Sequence, residues 1–269
     1  MLIFAALILL LVLVYLFLIR CRSGHPGLPE LRKWAYAHRG LHGNGVPENS
    51  LEAFRLAKEA GYGIELDVHL LADGNLAVIH DASLKRTAGV DVYIEDLTID
   101  QLQNYTLEGT QERIPSFEQV LELYRDSAPL IIELKTERGN AAALCGAVCK
   151  ALDAASCTYC IESFDPRCIF WLKKNRPEIV RGQLARNFFA YTNSGIPWYL
   201  KLILSFHMVN FLIAPDFIAY RFKDRNIFGT ILCRKIWGAQ GVAWTIKTQQ
   251  EHEQALKDGW ISIFEGFRP

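Results

Sequence analysis

The first nineteen residues, Met1–Ile19, contain no charged side chain, and no basic residue precedes the apolar run. A cleavable signal peptide needs a basic segment and a small-residue cleavage site, and the sequence around Arg20 offers neither. A helix over these residues would be roughly 28 Å long at about 1.5 Å per residue, which is close to the hydrocarbon thickness of a bilayer. We therefore predict a transmembrane helix over residues 1–19, rather than a buried core helix.

Net charge is lacking as well, because 29 basic residues balance 29 acidic ones. This balance excludes a strongly basic surface, so we expect no nucleic-acid partner. Four basic residues follow the apolar run against the single acid Glu30: Arg20, Arg22, Arg32 and Lys33. The positive-inside rule then predicts a single-pass protein of the cell membrane whose C-terminal domain faces the cytoplasm.

The cysteines do not suit a secreted disulfide framework, because there are seven of them in a large domain. The pairs Cys145/Cys149 and Cys157/Cys160 could hold zinc, but the pairs are closer together than in the usual four-cysteine sites. We favour buried free thiols in a reducing compartment.

Internal repeats are absent, and β-like runs instead alternate with helix-compatible segments after a linker over residues 20–33. Repeated β–α alternation with apolar strands indicates a parallel sheet covered by helices. The pair Asp73-Gly74 between two β-like runs is typical of a hairpin, so one of the nine runs is an appended strand. Residues 34–269 are therefore predicted to form a (β/α)8 TIM barrel with a small hairpin insertion after strand 2. The runs are Trp34–His38, Gly63–Val68, Leu76–His80, Leu130–Lys135, Tyr159–Phe164, Val180–Leu184, Phe211–Pro215, Val242–Ile246 and Ile261–Phe264.

The stretch Phe188–Tyr220 is unusually apolar. It fits one more helix of the barrel, and it also fits a surface that rests on lipid. Both interpretations stay open at this stage.

Charged residues fall where the predicted strands end, which is where a (β/α)8 barrel carries its functional residues. Glu65 and Asp67 lie two apart and share one face of a strand, and Glu133 repeats that position in a later strand. Any one of these residues could belong to a structural salt bridge. Three carboxylates converging on one pocket suit a hard divalent cation, Mg²⁺ or Ca²⁺. His69 shares the face of Glu65 and would suggest a softer metal, but its place at the hairpin entry favours the barrel rim.

Two histidines, His38 and His80, also close predicted strands and fit a general base and a general acid. Arg39 and Lys135 add fixed positive charge that suits a phosphoryl group. A cation site, paired histidines and two cationic side chains together indicate phosphodiester chemistry.

The sequence resembles the glycerophosphodiester phosphodiesterase family from about residue 36 to the C-terminus. The motifs that carry the resemblance are Ala37-His38-Arg39-Gly40, Pro47-Glu48-Asn49-Ser50, Glu65-Leu66-Asp67-Val68, Asp73-Gly74, Val78-Ile79-His80-Asp81, Ile132-Glu133-Leu134-Lys135, Ser163-Phe164-Asp165 and Trp244-Thr245-Ile246.

The resemblance implies a TIM barrel that cuts glycerophosphodiesters to glycerol 3-phosphate and an alcohol, with the glycerol 2-hydroxyl as a plausible internal nucleophile. It implies that the metal is held by Glu65, Asp67 and Glu133, and that the acid–base pair is His38 and His80. It also implies substrate or phosphate contacts for Arg39, Glu48, Lys135, Phe164 and Trp244. The chain departs from the family at Phe264-Glu265-Gly266, where Thr-Asp near a proline is usual, so the role of the last loop stays open.

Two other functions are considered. A lysophospholipase D acting at the bilayer keeps the chemistry, and the apolar 188–220 segment slightly favours it. A non-catalytic protein that binds phospholipid head groups is disfavoured by the intact histidine and carboxylate set. The head-group alcohol, the metal and the oligomeric state stay open.

Overall fold

The computed structural model of the chain describes residues 1–190 and 195–269. Its strands are β1 Tyr36–His38, β2 Gly63–Leu70, β3 Leu76–Val78, β4 Leu130–Leu134, β5 Tyr159–Ser163, β6 Arg181–Ala185, β7 Phe217–Arg221, β8 Gln240–Ile246 and β9 Trp260–Phe264. Its α-helices are α1 Leu2–Leu18, α2 Leu28–Leu31, α3 Leu51–Glu59, α4 Lys85–Ala88, α5 Phe117–Leu123, α6 Ala141–Asp153, α7 Pro166–Asn175, α8 Trp198–Ser205, α9 Asn210–Ile213, α10 Phe228–Lys235 and α11 Gln249–Lys257. Short 3₁₀ turns occur at Ile94–Asp96, Ile99–Asn104, Phe188–Ala190 and Phe222–Asp224.

Eight of the strands form a closed parallel ring. All strands except β3 pair in parallel with their neighbours, and the ring closes because β1 pairs with both β2 and β9. Closure aligns the carboxyl ends of these strands at one face, which we call the carboxyl-end face. The predicted (β/α)8 barrel is confirmed.

The predicted hairpin after the second strand is present. β3 runs antiparallel to β2, with Val68 opposite Val78, and Gly74 has a φ of +83°, which a residue without Cβ adopts readily. The insertion is larger than a hairpin alone, because it also includes the segment after β3. The hairpin and this segment together enclose a small apolar core. That core consists of Leu71, Ala77, Ile79, Leu84, Ile94, Leu97, Leu102, Leu107 and Ile114.

Apolar side chains fill the barrel at the amino ends of the strands. Tyr36 of β1, Ile131 of β4 and Phe217 of β7 belong to one buried cluster there. Leu28 and Leu31 of α2 join the same cluster. Residues 20–33, predicted as a juxtamembrane linker, therefore include a helical turn that packs against the barrel.

The predicted strand Phe211–Pro215 is wrong. The structure has the helical turn α9 at Asn210–Ile213, and the strand of this unit is β7, Phe217–Arg221. A short apolar run fits a buried helical turn as well as a strand, and periodicity alone does not separate the two. The 188–220 segment thus holds the two short helices α8 and α9, and its residues 191–194 lie outside the described residues.

Helix α1 is apolar along its whole length, and the side chains of its first part are exposed. Residues 2–14 are all exposed, whereas Ile19 at the end of the helix is completely buried. Arg22, counted above among the basic flanking residues, forms an ion pair with Asp216 at an Nε–Oδ1 distance of 2.5 Å. No helix in the described part of the chain combines the length and apolarity needed to cross a membrane. The structure thus does not show that residues 1–19 form a transmembrane helix, and that assignment stays a prediction.

All seven cysteines are free thiols, and only Cys157 is not fully buried. This agrees with the prediction that the cysteines are buried free thiols, with Cys157 as the half-buried member.

Candidate active site

The three predicted metal-binding carboxylates come together inside the barrel. Glu65 and Asp67 point inward from β2, and Glu133 lies opposite Asp67 in the parallel pairing of β2 with β4. One oxygen from each carboxylate lies within 4.8 Å of one from each of the others, and all three residues are buried. The even spacing of the strands therefore builds a compact group of oxygen donors.

The electrostatics of this group reflect its burial. Burial and the neighbouring carboxylates raise the pKa of Glu65 well above its usual range. Burial raises the pKa of Glu133 to about 7, although Lys135 opposes the shift. Burial also opposes the charge of Asp67, but Lys135, His80 and Arg39 hold its pKa well below the usual range.

A hard divalent cation fits this set of donors. The group contains carboxylate oxygens only, which Mg²⁺ and Ca²⁺ prefer. Asp67 Oδ1 is buried next to these donors, and Lys135 Nζ lies 3.0 Å from it. His69 is not in the group: its Nε2 lies 3.3 Å from the carbonyl oxygen of His80 and its Nδ1 lies 3.7 Å from Glu95.

His38 reaches the carboxylate group from the end of β1. Its Nδ1 lies 2.7 Å from Glu265 Oε2, which leaves Nε2 on the side of Glu65, 3.9 Å from Glu65 Oε2. Burial lowers the pKa of His38, and the hydrogen bond with Glu265 partly opposes the shift. The hydrogen bond orients the imidazole, and the lowered pKa favours its neutral form, which is the form that accepts a proton.

Glu265 is a residue of the site that the sequence did not assign. It follows β9 in the atypical last loop, and its second oxygen pairs with Lys247 Nζ at 2.9 Å. The hydrogen bond with His38 lowers the pKa of Glu265, and Lys247 lowers it further. The departure from the family pattern at this position was the available signal.

His80 has the same kind of support from a different loop. It lies two residues beyond β3, and its Nδ1 is 2.6 Å from Asp81 Oδ1. Arg86 holds Asp81 in turn, with an Nε–Oδ2 distance of 2.5 Å. Burial lowers the pKa of His80, while the charge of Asp67 opposes that shift. Both histidines thus have Nδ1 bound to a carboxylate, which fixes the ring orientation.

Arg39 and Lys135 bring the predicted positive charge to the carboxylate group. Lys135 Nζ lies 2.6 Å from Glu133, and Arg39 Nε lies 3.3 Å from Asp67. Glu48, predicted among the substrate contacts, accepts from Arg39 at 2.9 Å and from Arg86 at 2.6 Å. In this structure Glu48 therefore orients two arginines.

Phe164 and Trp244, the remaining predicted contacts, form an aromatic wall at the barrel mouth. Their ring centroids are 5.7 Å apart, and Phe164 also packs against Phe188 at 6.3 Å. Both are partly buried. Phe164 directly follows β5, and Trp244 lies two residues before the end of β8. The mouth thus carries aromatic side chains at β5 and β8 in addition to the charged groups at β1, β2 and β4.

Three further polar residues of the mouth were not assigned from the sequence. Asn49 donates to Asp67 Oδ2 at 2.8 Å and thereby orients that carboxylate, and its place in the Pro47–Ser50 motif was a signal. Glu162 on β5 lies opposite Glu133 and is buried with an unpaired Oε2, and no signal marked it. His42, on the loop after β1, forms a second possible ligand group with His38 and Glu265.

Comparison with known proteins decides the family. Residues 38–264 match the model of the glycerophosphoryl diester phosphodiesterase family. The chain belongs to this family. A glycerophosphodiester phosphodiesterase of Caldanaerobacter subterraneus is 30% identical to it, over 83% of this chain and 89% of the relative. The prediction that the chain is an enzyme of this class, a phosphoric diester hydrolase, is confirmed.

Two further similarities are more limited. An Oleispira antarctica phosphodiesterase, solved in complex with its product sn-glycerol-3-phosphate, shares the fold with a TM-score of 0.70 at 24% identity, over 86% of this chain and 92% of that one. A rat lysophospholipase D is 36% identical over 112 residues, which are 37% of this chain and 35% of that protein.

Proposed function

We propose that the chain hydrolyses glycerophosphodiesters to sn-glycerol 3-phosphate and an alcohol, with His38 and His80 as the acid–base pair. One divalent cation, Mg²⁺ or Ca²⁺, would be held by Glu65, Asp67 and Glu133. The observation that carries the proposal is the pairing of two imidazoles, each bound at Nδ1 to a carboxylate, with a buried group of three carboxylates.

The groups of the site would have separate roles in the cleavage of a phosphodiester. The cation, when bound, withdraws electron density from the phosphoryl oxygens. Arg39 and Lys135 add positive charge next to the same oxygens, where negative charge develops in the transition state. Because Nδ1 of each histidine is bound to a carboxylate, Nε2 of one neutral imidazole takes the proton of the glycerol 2-hydroxyl, and Nε2 of the other imidazole, in its protonated form, gives a proton to the departing alcohol oxygen.

The phosphorus–oxygen bond to the alcohol then breaks as the 2-hydroxyl oxygen bonds to phosphorus. Water opens the resulting cyclic phosphate, and the two histidines exchange roles for this second step. Glu265 and Asp81 keep the rings oriented throughout, so neither ring has to turn between the two steps.

The membrane anchor belongs to the proposal as well. Helix α1, with its exposed apolar residues 2–14, would hold the barrel at the cell membrane. Arg20, Arg32 and Lys33 flank it on the barrel side and favour a cytoplasmic barrel. Arg22 contributes less to this bias than the sequence suggested, because Asp216 neutralises it.

A lysophospholipase D activity is the second candidate. Exposed aromatic side chains of α8 and the partial match with a rat lysophospholipase D favour it. Both candidates use the same side chains and differ only in whether the glycerol carries an acyl chain.

The function is tested by measuring glycerol 3-phosphate released from glycerophosphocholine and glycerophosphoethanolamine. We expect release that stops in excess chelator and returns with Mg²⁺ or Ca²⁺. Glu65→Gln should abolish this metal response, whereas His69→Ala, a nearby buried control, should retain it. Release that persists in excess chelator would refute the three-carboxylate site. Head-group binding without turnover would instead indicate the non-catalytic protein.

The orientation is tested by placing a cysteine at Ser23 and applying an impermeant thiol reagent to intact cells. The proposal expects labelling only after permeabilisation. Strong labelling of intact cells would show that the barrel faces outward.

A further inference from the structure

Helix α1 descends along the outside of the barrel from the carboxyl-end face. Near its end, Tyr15 stacks on Phe228 at 6.2 Å, and one turn later the Ile19 carbonyl accepts from Cys233 Sγ at 3.5 Å. Phe228 opens α10, just beyond the carboxyl end of β7, and Cys233 lies further down the same helix. The Arg22 amide then donates to Pro215, which precedes the amino end of β7. Helix α1 therefore runs in the same direction as α10.

The free part of α1 must accordingly project beyond the carboxyl-end face. Residues 2–14 extend for roughly 20 Å at about 1.5 Å per residue. All of them are apolar and exposed, so the helix has no polar side. A helix that docks into a groove of another protein is apolar on one side only, whereas a helix that is apolar all round is suited to lipid.

More exposed apolar side chains lie on the loops of the same face. We call Phe189, Trp198, Tyr199 and Phe228 the apolar rim. Trp198 is 71% exposed and Phe228 is 61% exposed, and Phe228 contacts α1 through Tyr15. These residues follow β6 and β7, so the rim continues from α1 around one side of the mouth. Tryptophan and tyrosine are enriched where a bilayer meets water, because their rings are apolar and their edges are polar.

The rim connects to the site through aromatic side chains. Phe188 is next to Phe189 in one 3₁₀ turn and packs against Phe164, which packs against Trp244. This aromatic track follows the carboxyl ends of β5, β6 and β8. An acyl chain attached to a phosphodiester at the carboxylate group would then lie along the track toward the rim.

From these contacts we propose that the mouth of the barrel faces a lipid bilayer, with α1 inserted and the apolar rim resting in the interface. The site then takes acylated glycerophosphodiesters, that is lysophospholipids, directly from the membrane. This inference rests on the proposed function for its chemistry, but the orientation of the mouth is tested separately.

The orientation is tested by fluorescence quenching of the full chain in phosphatidylcholine vesicles that carry lipids brominated near the head group. We expect the brominated lipids to quench part of the tryptophan emission, and Trp198→Phe to remove a component of that quenching. Trp171→Phe is the matched control, because Trp171 lies in the middle of α7 and does not belong to the rim. Equal quenching in wild type and Trp198→Phe would overturn the proposal.

The consequence for catalysis is tested with two substrates, lysophosphatidylcholine in vesicles and water-soluble glycerophosphocholine. Trp198→Glu combined with Tyr199→Glu should slow hydrolysis of the vesicle substrate at least about tenfold, because carboxylates resist transfer into the interface. Hydrolysis of the soluble substrate should not change. Leu256→Glu, at an exposed leucine near the end of α11, should change neither rate.

The outcomes separate the two proposals. If the rim variant slowed both substrates equally, or slowed neither, the bilayer-facing mouth would be wrong while the hydrolase function stood. If the wild-type chain hydrolysed neither substrate, the proposed function would be wrong, and the quenching experiment would still decide the orientation.

Discussion

Two levels of the barrel interior differ sharply although the same strands build both. At the lower level, toward the amino ends, Tyr36 and Ile131 point inward and pack in an apolar cluster. Two residues further along β1 and β4, about 7 Å higher, the inward positions hold His38 and Glu133. The inward positions of the same strands therefore form a packed apolar core below and a group of titratable side chains above.

The two levels differ in electrostatic free energy, because only the upper level buries several carboxylates. The lower cluster is dominated by apolar side chains, so its burial stabilises the barrel directly. The upper level buries Glu65, Glu133 and Glu162 near one another, and burial raises the pKa of each. Because burying a charge is unfavourable without a partner, the upper level lowers stability unless a cation or a proton neutralises it.

The largest effect should come from the upper level. We expect His38→Ala and His80→Ala each to lower turnover by at least roughly 10²-fold, because each removes a proton-transfer group. Circular dichroism and the unfolding midpoint should stay near wild type, since neither side chain belongs to the apolar core. A variant with near-normal turnover would end the acid–base assignment of that histidine.

The matching change at the lower level should act on stability instead. Ile131→Ala should reduce the free energy of unfolding by about 2–5 kcal/mol, because it leaves a cavity among packed side chains. Turnover per folded molecule should stay within a few fold of wild type, measured at a temperature where the variant is folded. A large loss of turnover at unchanged stability would contradict the separation of the two levels.

Metal affinity should depend on pH because protons compete for the upper carboxylates. The pKa of Glu133 is raised to about 7 in the metal-free protein. The carboxyl is therefore increasingly protonated below pH 7, and the apparent Kd for Mg²⁺ or Ca²⁺ should rise by about tenfold per pH unit lost there. Titration calorimetry at pH 8, 7 and 6 measures this change. A Kd that is constant from pH 8 to pH 6 would contradict the prediction.

The smallest effect concerns Glu162, whose pKa burial raises and whose Oε2 is unpaired. A raised folded-state pKa means stability that is present at low pH and lost as pH rises above the unfolded value, near 4.3. Glu162→Gln should remove this loss, so the unfolding free energy of the metal-free variant should fall less between pH 5 and pH 8 than that of wild type. Urea unfolding at both pH values gives the comparison, and equal slopes would show that Glu162 is not a source of the loss.

Much of the site followed from strand-end chemistry. Glu65, Asp67 and Glu133 could be grouped in advance, because inward positions alternate along a strand and neighbouring strands end at one face. The strand predicted at Phe211–Pro215 was wrong because its residues carry no comparable local signal. Five apolar residues suit a strand or a buried helical turn equally well. Only tertiary packing decided for α9 at Asn210–Ile213, which contacts α7 and α1.

The hydrogen-bond partners of His38 and His80 could not be predicted from the sequence in the same way. His38 and Glu265 are 227 positions apart and meet only because the ring closes between β1 and β9. Asp81 is adjacent to His80, yet its bond to the ring depends on the insertion that also supplies Arg86.

By itself, the sequence indicated the family through its motifs. It also determined the βα barrel and the strand-end positions of the three carboxylates and the two histidines, because alternation and strand-end position are local properties. Tertiary structure alone decided that Glu265 orients His38, that Glu48 orients two arginines, and that α1 descends from the mouth of the barrel. These features depend on contacts between distant segments, and the spacing of residues along the chain does not indicate which distant surfaces contact each other.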